Sequence, residues 1–238
     1  MAQRKTIVIF GATGAIGRSL ANWFSQHDWR VVGVRRSINI DQTEKTERIE
    51  WVTWNPQSNK STPPEMTSPT DAIVWAQGLN CNDSIYSFNS QRHAEIYYAN
   101  VAYILDTLSA LLHSSLLADS CRLAIISSIW QEIARQDKLS YMVTKSALKG
   151  LVQSLMVDLG KKGYLVNAVL PGALDTPMTK ANLSANQIKS LESSTPLGCL
   201  ATLDDICNLT GFLCSSSNTG ITGQFLIADR GFSYAKII

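Results

Sequence analysis

The sequence predicts an α/β chain of the doubly wound class, with seven parallel strands in one sheet. Three observations carry that expectation. Short apolar runs alternate with amphipathic stretches along the 238 residues, which is the pattern of βαβ units. Some runs are unbroken, as in Ala72-Ile73-Val74-Trp75, and suit strands covered on both faces. A glycine turn at residues 11–17 sits directly between the first apolar run and the first helical stretch.

The elements follow in order. Residues 6–10 read as the first strand and 18–26 as a helix. Residues 31–34, 50–53 and 72–75 read as strands two to four. Between the last two, residues 55–69 carry Pro56, Pro63, Pro64 and Pro69, so an irregular loop is expected there in place of a helix. A long helical region covers 90–116, followed by a fifth strand at 123–126. Residues 141–161 are helical, with Ala147, Leu148, Leu151 and Leu155 at helical spacing. Strands six and seven fall at 165–169 and 225–227. No linker, repeat or low-complexity tract divides the chain, so residues 1–238 are expected to form one domain.

Composition narrows the function classes. Hydrophobic residues make up 45% and charged residues 17%, which is globular rather than disordered. Lys and Arg number 21 against 19 Asp and Glu, so nothing marks a nucleic-acid or acidic-membrane partner. No apolar run reaches a membrane span. Arg4-Lys5 before an apolar stretch resembles a short signal, but Gly11, Gly14 and Gly17 break the run, and a buried strand entering a loop explains it better. Five cysteines without CxxC spacing fit a reducing, cytoplasmic compartment. His27, His93 and His113 show no metal-ligand spacing, so no metal is expected.

The loop Gly11-Ala12-Thr13-Gly14-Ala15-Ile16-Gly17 joins a strand to a helix. Such a junction offers backbone N–H groups and a helix dipole to a pyrophosphate. The second strand ends Val34-Arg35-Arg36-Ser37. A carboxylate there would hold the ribose 2′-hydroxyl of NAD; arginine instead suits a 2′-phosphate, so NADP (NADPH) is the expected cofactor. The competing reading is two solvated surface arginines. Tyr141 and Lys145 lie four apart on one helix face, and a lysine ammonium near a phenol lowers its pKa. An isolated pair of this kind is more often a solvated face. Ser127-Ser128 closes the fifth strand, at the carboxyl edge where such sheets bind ligands.

Over almost its whole length the chain resembles the short-chain dehydrogenase/reductase family, as a divergent member with a Rossmann-type sheet. Ser128 lies thirteen residues before Tyr141, as the family's serine does, and Asn100 matches its helix asparagine. Asn100, Ser128, Tyr141 and Lys145 then complete a tetrad. The resemblance implies Tyr141 as general acid/base, Ser128 on the substrate oxygen, and Lys145 on the nicotinamide ribose while depressing the Tyr141 pKa. It implies a water path at Asn100. Pro171, Gly172, Leu174 and Thr176 would flank the nicotinamide, with the Leu174 backbone and Thr176 on its carboxamide. Thr195-Pro-Leu-Gly198 and Gly220-Ile-Thr-Gly223-Gln224 resemble later landmarks. Residues 178–195 would form a substrate lid, and family members pair their helices into a homotetramer or homodimer. Leu105, Leu108, Leu111, Leu112, Leu148, Val152 and Leu155 are the apolar residues expected for that pairing.

Departures are local. The family's glycines fall at the first, fifth and seventh loop positions; here Ala15 stands at the fifth and Gly14 at the fourth, a spacing of longer members. The strand-four signature Asn-Asn-Ala-Gly reads Trp75-Ala76-Gln77-Gly78, keeping Gly78 where backbone approaches ribose. Trp54-Asn55 replace the aspartate usual near adenine, and Arg230 stands where a glycine is usual. Asn80, Asn82, Asp83, Gln131, Glu132 and Gln136 suggest a polar pocket mouth. Trp130, in the loop after Ser128, either lines the pocket or packs in the core. The implied activity is hydride transfer between NADP(H) and a carbonyl or alcohol. A 3-oxoacyl thioester reductase is the specific alternative, and a catalytically silent nucleotide-binding regulator the alternative of another class.

Overall fold

A computed structural model describes residues 4–36, 48–57, 63, 68–176, 179–180 and 183–236. Seven strands form one sheet in the order β3-β2-β1-β4-β5-β6-β7, and every pair is parallel. They are β1 (Thr6–Phe10), β2 (Arg30–Arg35), β3 (Ile49–Thr53), β4 (Thr70–Trp75), β5 (Leu117–Ile126), β6 (Leu165–Pro171) and β7 (Phe225–Ala228). Strand order reverses between β1 and β4, and such switch points open a crevice at the carboxyl edge.

The six helices with described ends are α1 (Ala15–Gln26), α2 (Ser90–Tyr97), α3 (Tyr103–His113), α4 (Leu139–Gly160), α5 (Ala185–Ser193) and α6 (Leu203–Cys214). They divide over two faces because a parallel sheet is apolar on both. Ile104, Leu108 and Leu111 of α3 and Leu148 and Val152 of α4 pack on Phe10, Ile73, Trp75, Leu123 and Ile125. Leu20, Ala21 and Phe24 of α1 and Ile206, Cys207 and Leu213 of α6 cover Ile7, Ile9, Val74 and Ala124 on the other. Four of the residues expected for helix pairing, Leu108, Leu111, Leu148 and Val152, are therefore core residues.

Three expectations are corrected. Residues 90–116 are not one regular helix: Tyr98–Ala102 form a wider π turn between α2 and α3. Strand β5 starts six residues earlier than the apolar pattern indicates, because Asp119-Ser120 interrupts the apolar run and the stretch joins through an irregularity in the β4–β5 register. Helix α6 is missing from the expected elements although Leu203, Ile206, Cys207, Thr210 and Leu213 fall at helical spacing, and its start is encoded as well: Thr202 and Asp205 form a reciprocal capping box. Ser37 and most of the proline-rich loop lie outside the described residues.

Several departures from the family pattern have packing reasons. Trp75 stacks on Phe10 at 5.8 Å and its indole donates to Thr107 Oγ1 at 2.9 Å, bracing β4 to α3. Trp54 is buried against Phe10 and Tyr103 lies edge-on to the same ring, so an aromatic floor stands where a carboxylate was usual. Arg230 adopts a left-handed φ of 59°, a strained choice without glycine. Its guanidinium pairs with Asp205 at 2.8 Å and anchors the start of α6.

Candidate active site

The site begins at the glycine turn. Gly11 has φ 73°, and a Cβ there would meet Gln77 N at 2.5 Å; a Cβ on Gly17 would meet Gly11 O at 2.2 Å. Both glycines are thus required by close backbone approach. Gly14 caps α1 without a side-chain bond, and the first turn has no acidic residue. The positive end of the α1 dipole is left for an anion. Glycine cradle and uncompensated helix end fit a dinucleotide pyrophosphate.

Arg35 and Arg36 end β2 at the same edge. Arg35 Nε donates to Thr53 Oγ1 at 3.3 Å and its guanidinium lies 5.9 Å from the Trp51 ring. Burial pushes the Tyr103 hydroxyl up to about 12, and the Arg36 charge opposes that rise.

The catalytic candidates converge around the ends of β4 and β5 and the first turns of α4. Ser128 is buried and its Oγ accepts from Trp130 N at 3.3 Å. Its side chain is near enough to the Tyr141 phenol to favour the ionised form. Lys145 Nζ donates to the Ile126 carbonyl at 3.1 Å and lies 5.7 Å from the Tyr141 ring. Burial lowers the Lys145 ammonium to about 8. Burial raises the Tyr141 hydroxyl above its ordinary value, and the Ser128 hydroxyl only partly opposes this. The expected depression of Tyr141 is not met: losing water costs the phenolate more than the Ser128 hydroxyl returns.

Asn100 sits inside the π turn, and such turns often occur at functional positions. Its Oδ1 accepts from Leu79 N at 2.8 Å. Its Nδ2 donates to Leu79 O at 3.0 Å and Thr144 Oγ1 at 2.9 Å. The side chain is a brace between the β4 exit and α4. It also explains Gly78, where a Cβ would meet Asn100 Oδ1 at 3.0 Å and Lys145 Nζ at 3.8 Å.

A polar clasp beside Tyr141 was missed by sequence reasoning. The start of α4 has no side-chain cap of its own and no acid in its first turn. Asp83 supplies both from another loop, accepting from Ser140 N at 3.0 Å and from the Ser140 hydroxyl. Partial burial would raise the Asp83 carboxyl, but the Ser140 bonds outweigh it and hold it low. Because Ser140 Oγ donates to Asp83, it must accept from His93 Nδ1 at 2.9 Å, which fixes the histidine tautomer. Buried Lys138 donates to Asn80 Oδ1 at 2.9 Å, the Cys81 carbonyl at 3.2 Å and Asn82 Oδ1. Only the position of Lys138, three before Tyr141, could have signalled this. Asn80, Asn82 and Asp83 are spent on this clasp, and Gln131 pairs with Ser127 and Glu132. Trp130 lies edge-on to Phe232 at 6.3 Å, with Arg135 at 5.1 Å from its ring.

Beyond β6, Pro171 closes the strand, and a Cβ on Gly172 would meet Asp229 Cβ at 2.6 Å. Leu174 bridges to Ala201. Thr176 Oγ1 bonds Thr179 Oγ1 at 3.1 Å. Helix α5, within the expected lid, buries no residue, while 178, 181 and 182 lie outside the described residues. Among the described residues no group of three metal-ligating side chains assembles, and no helix is long and apolar enough to cross a membrane.

Fold and site together define a class: an oxidoreductase that positions a nicotinamide dinucleotide across a parallel sheet beside a Ser-Tyr-Lys cluster. Residues 69–233 match the family model described as enoyl-(acyl carrier protein) reductase. The chain is 28% identical to the uncharacterized oxidoreductase YmfI of Bacillus subtilis, over 96% of this chain and 98% of that one. A 3-oxoacyl-[acyl-carrier protein] reductase from Brucella melitensis in complex with NAD has the same fold, with TM-score 0.88 at 20% identity over the whole of both chains. So does a gluconate 5-dehydrogenase from Burkholderia cenocepacia in complex with NADP and tartrate, with TM-score 0.86 at 19% identity over 99% of this chain and 97% of that one. The chain belongs to the short-chain dehydrogenase/reductase family and is an oxidoreductase of the hydride-transfer type.

Proposed function

We propose that this protein is an NADP(H)-dependent reductase of a small carbonyl compound, or dehydrogenase of the matching alcohol, with Asn100, Ser128, Tyr141 and Lys145 as its working set. The observation that carries the reading is the placement of Tyr141 at the carboxyl edge of β5, with Lys145 Nζ 5.7 Å from its ring and the buried Ser128 hydroxyl near enough to favour its phenolate.

Nicotinamide supplies or accepts the hydride when bound. Burial keeps Tyr141 protonated at neutral pH, so in reduction its Oη can pass a proton to the substrate oxygen. Ser128 Oγ steadies that oxygen. Lys145 faces the ribose and presents the nearby positive charge that a developing phenolate needs. Asn100 holds Leu79 and with it the Gly78 backbone. Gly11, Thr13, Gly14, Ala15, Ile16 and Gly17 seat the pyrophosphate. Arg35 and Arg36 take the 2′-phosphate, and Pro171, Gly172, Leu174 and Thr176 flank the nicotinamide, with residues 178–195 as a lid. One domain over 1–238 houses all of this.

A 3-oxoacyl thioester is a specific alternative substrate, favoured by the name of the Brucella relative in fold. Cofactor oxidation followed at 340 nm separates the cases: ketones and aldehydes, 3-oxoacyl thioesters, and NADPH against NADH. Dinucleotide binding without turnover on any of them would instead mark a silent regulator.

We also place the protein in the cytoplasm, a reducing compartment that suits its five free cysteines. Tyr97, Leu105, Val143 and Val157 expose apolar surface on the α2–α4 side, and this supports a homotetramer, or a homodimer, built on those helices. A sedimentation mass near the 26.1 kDa of one chain would refute both assemblies.

A further inference from the structure

Helix α4 carries Tyr141 in its first turn, yet its own sequence does not fix where it begins. Lys138, at the cap position, makes no side-chain bond to that turn, and no acidic residue follows it there. First turns without a cap leave backbone N–H groups unpaired, and they fray. The missing cap comes from the loop after β4. Asp83 accepts from Ser140 N at 3.0 Å and from the Ser140 hydroxyl. Its backbone carbonyl accepts from Leu139 N at 3.2 Å, and its own N–H donates to the Asp137 carbonyl at 3.2 Å.

These bonds close a ring around Tyr141. Asn100 holds Leu79 by both of its backbone groups. Lys138 holds residues 80–82, and Asp83 holds Ser140. On the far side of Tyr141, its carbonyl accepts from Thr144 Oγ1 at 2.8 Å, and that oxygen accepts from Asn100 Nδ2 at 2.9 Å. We propose that Asp83 is a positioning residue for Tyr141. It touches no reacting atom. It fixes the residue before Tyr141, and so the place of the phenol relative to Ser128 and Lys145. A carboxylate suits the task, with one oxygen for the N–H and one for the hydroxyl, and a negative charge at the positive end of a helix. The assignment rests on the reading of Tyr141 as the proton donor.

Ligand-free protein, isotope-labelled in its tyrosine rings and observed by NMR, gives a test that needs no substrate. Tyr141→Phe identifies the Tyr141 resonance among the seven tyrosines. Asp83→Ala should shift or broaden that resonance and lower Tm by about 2–4 °C, as a lost cap does in a chain of this size. It should also lower kcat by about tenfold at an unchanged KM for NADPH, since small misplacements of a reacting group are costly. Asp83→Asn keeps an acceptor for Ser140 N and should restore most of both readings. Thr202→Ala removes the cap of α6 instead. It should lower Tm by a similar amount and leave the Tyr141 resonance and kcat as in wild type. Should Asp83→Ala not fold, Ser140→Ala removes the hydroxyl bonds alone and should move the same resonance. A Tyr141 resonance unmoved by these variants, or moved as far by Thr202→Ala, would overturn the proposal. Full turnover in Tyr141→Phe overturns the proton-donor reading and this role with it. An inactive Tyr141→Phe, beside Asp83→Ala with wild-type resonance and kcat, overturns Asp83 alone.

Discussion

The two ends of the crevice are built differently. At the catalytic end, polar groups are buried and paired: Asn100 spans Leu79 and Thr144, Asp83 caps Ser140, and Lys138 ties down residues 80–82. At the end beside the glycine turn, below β2 and β3, the core is aromatic and closed, formed by the buried Phe10, Trp54, Trp75 and Tyr103. Its charges, Arg35 and Arg36, stand at the rim. Proton transfer needs atoms held to a fraction of an ångström, and a hydrogen-bonded lattice provides that.

Substitutions at each end can break that contrast. The largest effect belongs to the proton donor. Tyr141→Phe should lower kcat by roughly 10²–10⁴-fold while dinucleotide affinity, read by fluorescence titration, stays close to wild type. Full turnover in the variant would remove Tyr141 from its role.

Lys145 gives a pH signature at the same end. Its folded pKa falls to about 8 through burial, from an ordinary 10.5. Between those values the unfolded chain binds the extra proton, so stability rises with pH, by up to about 1.4 kcal/mol per unit. Below about 8 both states are protonated and the contribution is flat. Urea denaturation of wild type against Lys145→Met should show the difference growing from pH 8 to 10; parallel curves would mean the ammonium is well solvated.

At the glycine-turn end, Gly11→Ala puts a Cβ 2.5 Å from Gln77 N at φ 73°. The left-handed conformation alone costs about 1–2 kcal/mol. Tm should fall and dinucleotide binding should weaken together. Smallest is the change in cofactor choice. Charge-assisted bonds at an exposed rim lie near the low end of their range, so Arg35→Asp should shift the NADPH-to-NADH preference by roughly tenfold toward NADH. Salt should weaken NADPH binding to wild type more than NADH binding. Equal affinities for both dinucleotides in wild-type protein at low salt would make Arg35 and Arg36 ordinary surface residues.

Legibility followed the same divide. The candidate residues that the fold brings together were readable because the proposed chemistry demands fixed types at fixed spacing, Tyr141 four before Lys145 and Ser128 thirteen before Tyr141. The strands were readable where both faces are covered, as at 72–75, and were underestimated at 117–120, where one register irregularity carries polar residues into β5. The leucines of α3 and α4 could not be divided between core and surface from periodicity alone. Leu108 and Leu148 are buried while Leu105 is half exposed.

By itself the sequence determined the class of sheet, the glycine turn and the four candidate side chains Asn100, Ser128, Tyr141 and Lys145. Each of these is specified by local pattern: unbroken apolar runs, glycine where a Cβ collides, and functional groups one helical turn apart. Tertiary structure decided what depends on contacts between distant segments. It set the Asp83 cap on Ser140 across 57 residues, the Lys138 clasp, and the commitment of Asn100 to Leu79 and Thr144. It also reversed the expected shift of Tyr141, because the energy of a charge depends on how much water the fold removes from it, and no spacing in the chain records that.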